Sequence, residues 1–214
     1  MTRLLYVVLL APMLSACYTV ASLETAIQPG AEVFDPRLVG TWEMSTDTSV
    51  TGRMVITREG AAQYLIRDIE VQGPSSVLMG RLGPLGPRRW ILELSPVGDT
   101  SKYTHPLASK DSTRLSPPSV PLMLPIIMPL VVDRADTGLV FSAFRGDSLS
   151  AELTSGALRT PFTVVKQGDL SVTVLLTAQD PGSVNVALAT FAGRPGALIP
   201  LPRVGHRISM PGMH

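Results

Sequence analysis

Short runs of alternating apolar and polar residues, each closed by glycine or proline, constrain this chain more than any other feature. Arg53 to Glu59 sets Met54 and Ile56 on one face and Arg53, Val55 and Thr57 on the other. After Gly60, the run Ala62 to Val71 opposes Leu65, Ile69 and Val71 to Tyr64, Ile66, Asp68 and Glu70, with Arg67 interrupting the first face. Arg88 to Ser95 alternates Trp90, Leu92 and Leu94, expected inward, with Arg89, Ile91 and Glu93, expected outward. A period of two is the signature of a half-buried strand, and its repetition between Gly and Pro predicts antiparallel sheet. The fold expected is mainly β: a barrel or strongly curved sheet with one or two short helices.

The other elements follow from local punctuation. Ser75 to Leu82 is a strand ending at Gly83-Pro84-Leu85-Gly86-Pro87, a stiff irregular connection. Pro96 to Pro118 is a polar loop. Prolines 117, 118, 121, 125 and 129 then punctuate Leu122 to Met128, which excludes a regular helix or central strand there and predicts an edge strand or an extended apolar flap. A strand resumes at Leu130 to Asp133 and forms a hairpin with Leu139 to Arg145. Leu149 and Leu153, four apart, suggest a short helix over Asp147 to Leu153. Pro161 to Lys166 and Leu170 to Thr177 pair around Gly168. Asp180 followed by Pro181 is a helix start, with Val184, Leu188 and Phe191 as its apolar stripe and Gly193 and Pro195 as its stop. Beyond Leu198 the chain reads as irregular through Ile208.

Ahead of all this lies a basic start at Arg3, an apolar stretch from Leu4 to Ala16, and Cys17, the single cysteine. The apolar stretch is shorter than the about 20 residues a membrane-spanning helix needs and is broken by Pro12. It has the layout of a secretory signal with small residues before the cut. Leu14-Ser15-Ala16-Cys17 resembles the lipobox of bacterial lipoproteins, which implies removal of residues 1–16 and acylation of Cys17. Several acyl chains on one residue make a stable anchor where one is marginal. Tyr18, not Asp, follows the cysteine, so the resemblance implies the periplasmic side of the outer membrane in a cell with two membranes. Residues 17–35 then read as a tether, 36–208 as the domain and 209–214 as a tail.

Leu38-Val39-Gly40-Thr41-Trp42-Glu43 resembles the first strand of lipocalin-like proteins, where a Gly and a Trp close one end of a β-barrel. The wider likeness is to uncharacterised bacterial lipocalin-like lipoproteins and covers most of 36–208, with Gly40 and Trp42 its specific element. The chain departs from true lipocalins in lacking a disulfide pair and in having two helical segments.

Composition removes several function classes. Once Arg3 is lost, the 18 Lys and Arg fall level with the 17 Asp and Glu, which leaves no electrostatic case for nucleic acid. His105, His206 and His214 have no ligand partners at metal-binding spacing, so neither a metal site nor a cofactor is expected. No Gly-x-Ser-x-Gly or Ser-x-x-Lys is present. Asp68 and Glu70 share a face, as solvated sheet residues do, and Pro84 and Pro87 spoil Gly83 to Gly86 as a phosphate loop. The expected function is therefore non-catalytic: a membrane-anchored envelope lipoprotein binding an apolar small molecule or lipid. The mean hydropathy of +0.27, raised in part by the signal, agrees with it. Trp42, Trp90, Met123 and Met128 are its candidate contacts, although tryptophans on such faces ordinarily serve as core. The alternative is a subunit of an envelope assembly that docks a protein partner through the Pro/Met-rich segment 117–129.

Overall fold

The computed structural model describes residues 17–45, 50–70, 76–86, 89–97, 126–135, 138–167, 171–201 and 204–207. In chain order the strands are β1 (Cys17–Ser22), β2 (Gly40–Ser45), β3 (Val50–Glu59), β4 (Gln63–Glu70), β5 (Ser76–Leu85), β6 (Arg89–Pro96), β7 (Met128–Ala135) and β8 (Gly138–Phe144). Helix α1 (Gly146–Thr154), β9 (Phe162–Gln167), β10 (Ser171–Leu176), α2 (Pro181–Ala192), β11 (Leu198–Pro200) and β12 (Val204–Arg207) complete it. The expected class holds: mainly β, two helices, and an antiparallel sheet curled into a half-barrel.

The main sheet runs β11-β8-β7-β6-β5-β4-β3-β2-β12, and a second sheet runs β1-β10-β9. Trp42 on β2 and Phe141 on β8 lie six strands apart in that order, roughly 29 Å if the sheet were flat. Their rings meet edge to face with centroids 6.0 Å apart, so the sheet is strongly curled and both face its hollow. Ile56, Tyr64, Ile66, Leu82, Leu92, Leu94 and Val132 fill that hollow with them. Every one of these is an alternating position of its strand, which is why the period of two was legible.

A second apolar cluster lies on the outer face. Ile91, Val131 and Phe144 of the main sheet pack there against Val20 of β1, Val174 and Leu176 of β10, and the helices through Leu149, Val184, Leu188 and Phe191. The middle strands are thus covered twice, which corrects the expectation that Ile91 and Glu93 face solvent: both are buried. Helix α2 starts as its sequence predicts, with the Asp180 carboxylate accepting the Ser183 backbone N–H at 2.8 Å.

Prolines account for two further corrections. β5 continues through Pro84 to Leu85 where an irregular connection was expected, because β4 begins opposite Arg81 and asks for no hydrogen bond from Pro84. β7 starts at Met128 and includes Pro129, whose position precedes the first β7–β8 pair, Leu130 with Ala143. The chain after Leu198, expected to be irregular, supplies both outermost strands of the main sheet, β11 against β8 and β12 against β2. Pro200 and Val204 are four residues apart, a reach of at most about 14 Å, so a single short link ties one outer edge of the half-barrel to the other.

Residues 17–35, expected as a tether, are part of the fold. β1 pairs in parallel with β10 along its whole length, from Cys17 opposite Ser171 to Ser22 opposite Leu176. Ala26 and Ile27 are buried, and Val33 bridges to Leu82. Gly83 makes this possible, since a Cβ there would come within 2.6 Å of Ile27.

Candidate functional site

The segment after Val33 turns under one end of the half-barrel. The Val33 N–H donates to the Leu82 carbonyl at 2.8 Å, extending the sheet past the start of β4. The chain then bends, with the Leu38 N–H on the Asp35 carbonyl at 3.1 Å and the Val39 N–H on that of Pro36 at 3.2 Å. Buried Leu38 receives the indole N–H of Trp42 on its carbonyl at 2.9 Å. Tyr64 holds the bend from inside: the Asp35 N–H donates to its hydroxyl at 2.6 Å. Phe34 stacks on Tyr64 with centroids 5.4 Å apart, and the Arg58 guanidinium lies 4.4 Å over the Phe34 ring.

This bend and the end of β5–β6 enclose a groove of about 300 Å³, walled by Val33, Phe34, Pro36, Leu82 and Trp90, with Asp35 and Arg37 on its rim. That volume is at the lower end of small-molecule sites. The rim carries little net charge, because Arg37 forms an ion pair with Asp35 through two nitrogens. The hydrogen bonds that Arg37 donates to the Asp35 carboxylate, partly offset by desolvation and helped by the carboxylate's charge, raise the Arg37 pKa above its ordinary value. Burial raises the Tyr64 phenol above its ordinary value of 10.0, partly offset by the Asp35 backbone bond, so the hydroxyl under the groove is neutral. A larger hollow of about 520 Å³ lies beside α2, but it is formed around the helix start that Asp180 already caps.

The candidate residues do not converge. Trp90 lines the groove and is half-buried. Trp42 is buried in the hollow of the sheet, the ordinary fate of such a residue, and Met128 packs partly buried at the other end of β6, opposite Leu94. Met123 lies outside the described residues, as do Leu14, Ser15 and Ala16. Cys17 opens β1. Of the segment 117–129, the described part is 126–129, where Ile127 exchanges backbone hydrogen bonds with Ser22.

Glu93 is the buried acid that sequence placed outside. Only 3% exposed, it accepts from Thr25 Oγ1 at 2.6 Å, from Arg81 at 3.0 Å and from the Ala26 N–H, while Arg81 also reaches Glu32 at 3.8 Å. Its oxygens are committed to fastening residues 25–32, a structural role. Among the described residues no group of three or more His, Cys, Asp or Glu could hold a metal ion. Phe34 and Asp35 were missed because residues 17–35 read as tether, and Arg37 because it stands at the very start of the expected domain with no motif around it; Val33-Phe34 beside Pro36 was the one signal that this stretch packs. No protein-family model matches the chain, and no curated protein or solved structure matches it significantly.

Proposed function

We propose that this chain is an envelope lipoprotein, acylated on Cys17, whose β domain acts by binding an apolar small molecule, or the apolar part of a lipid, in the groove beside Trp90. The observation that carries the binding half is an aromatic and aliphatic cleft, Phe34, Leu82 and Trp90, that the chain's own side chains leave open. A lipocalin-like protein would hold its ligand inside the barrel. Here Trp42, Tyr64, Phe141 and their neighbours occupy that space, which supports a site at the rim instead. The anchor half rests on Leu14 to Cys17 after the apolar stretch, and it carries the outer-membrane address with it.

The ion-paired rim favours a ligand without strong charge. Titration with the neutral dye N-phenyl-1-naphthylamine tests this. Saturable binding should weaken about tenfold in Trp90→Ala, the equivalent of losing roughly 1.5 kcal/mol of aromatic burial, and hold in Met128→Leu. Equal binding by Trp90→Ala and the parent would overturn the site.

A further inference from the structure

We propose that acylated Cys17 holds the domain with its three-stranded sheet toward the bilayer and the groove turned away from it. The groove then takes its apolar ligand from the aqueous side and not from the membrane to which the chain is anchored. This rests on the lipid-anchor reading above.

The first ground is the absence of slack. The residue that would carry the lipid is itself the first of β1, paired with Ser171, so no extensible residues separate anchor and domain. Each tether residue would add up to about 3.6 Å of freedom; here there are none. β1 is held firmly as well. A Cβ on Gly146 would lie 2.9 Å from the Tyr18 Cβ, so β1 rests directly on the start of α1, and at its other end Ser22 and Ile127 exchange bonds of 2.8 and 2.9 Å. β1 therefore crosses the rim where β7 begins and β8 has just ended.

The second ground is where the groove lies. Val20 of β1 belongs to the outer cluster, whereas Leu82 and Trp90 belong to the inner one, so anchor strand and groove are on opposite faces of the main sheet. They are also offset along the strands, most of all at the Trp90 wall of the groove. Met128 pairs with Leu94 at the β1 rim, and Trp90 pairs with Val132 four residues further along, roughly 13 Å by strand rise. With Cys17 at the bilayer surface, a groove on the other face of the main sheet and offset along its strands is turned away from the lipid. Tyr18, 40% exposed beside the anchor, suits the headgroup level, where an aromatic ring with a polar tip is favoured.

Fluorine NMR of the acylated protein decides the matter. Fluorotryptophan labelling reports Trp42 and Trp90 separately, and Tyr18→Trp adds a probe next to the anchor. In nanodiscs containing nitroxide-headgroup lipid, the position-18 signal should broaden and the Trp90 signal should not. A soluble gadolinium chelate should broaden Trp90 as strongly in nanodiscs as in unanchored Cys17→Ser. Broadening of Trp90 by the lipid nitroxide, or its protection from the chelate, would overturn the orientation. A sharp position-18 signal on an acylated chain would overturn the lack of slack. Mass spectrometry of the same sample separates these from failure of the underlying reading: a chain without acyl groups on Cys17 removes the anchor itself.

Discussion

Glu93 shows how one side chain decides whether a segment is domain or tether. Its carboxylate supplies acceptors to Thr25, Ala26 and Arg81 at once, and without it the Ala26 N–H is buried with no partner. Removing one member of a buried charged network costs more than the network contributed. Glu93→Ala should destabilise the domain by about 3 kcal/mol in urea unfolding and speed amide exchange over 23–32 first. Tyr64 acts likewise on the groove. Tyr64→Phe loses the Asp35 hydrogen bond, a cost of about 1 kcal/mol. It also changes the response to alkali. A phenol whose pKa is raised on folding contributes stability that is complete below the unfolded value of 10.0 and disappears as pH rises through the folded one. Urea midpoints compared at pH 8 and above 10 should fall more for the parent than for Tyr64→Phe. Glu93 was illegible beforehand because alternation predicts that one face is covered; it does not say that residues from elsewhere cover the other.

Elements whose reasons are local were readable, and those whose partners are distant were not. Met54 with Ile56, and Trp90 with Leu92 and Leu94, announced their strands by period, and Asp180-Pro181 announced α2 by cap chemistry. β1 gave no such sign. Cys17 to Ser22 has small and β-branched residues, but it becomes a strand only because β10, far along the chain, offers a parallel edge. The groove went unseen for the same reason, since residues 33–37 line it only after Val33 finds Leu82. Val20→Asp separates strand from tether. In a tether the change is neutral; in β1, where Val20 is 6% exposed, it places an unpaired carboxylate in the outer cluster and should cost at least about 3 kcal/mol by urea unfolding.

At the scale of the molecule, the curl that brings Trp42 to Phe141 leaves β11 and β12 as the outermost described strands of the main sheet. The sequence's prolines and short apolar stretches after Leu198 carried no strand signal because both strands there are brief, and Pro200 fits only an outermost position. That brevity has a consequence for the protein in company with its own copies. Anchored molecules share a surface and meet far more often than free ones, and a long bare strand edge is a template for the next chain. β11 and β12 cover β8 and β2 with short stubs, and Pro200 in β11 removes one of its backbone donors. A chain ending at Ala197 should therefore grow assemblies visible by light scattering at concentrations where the parent stays dispersed. Those last residues, which add little to the core, would let copies anchored as proposed above crowd on a membrane without polymerising.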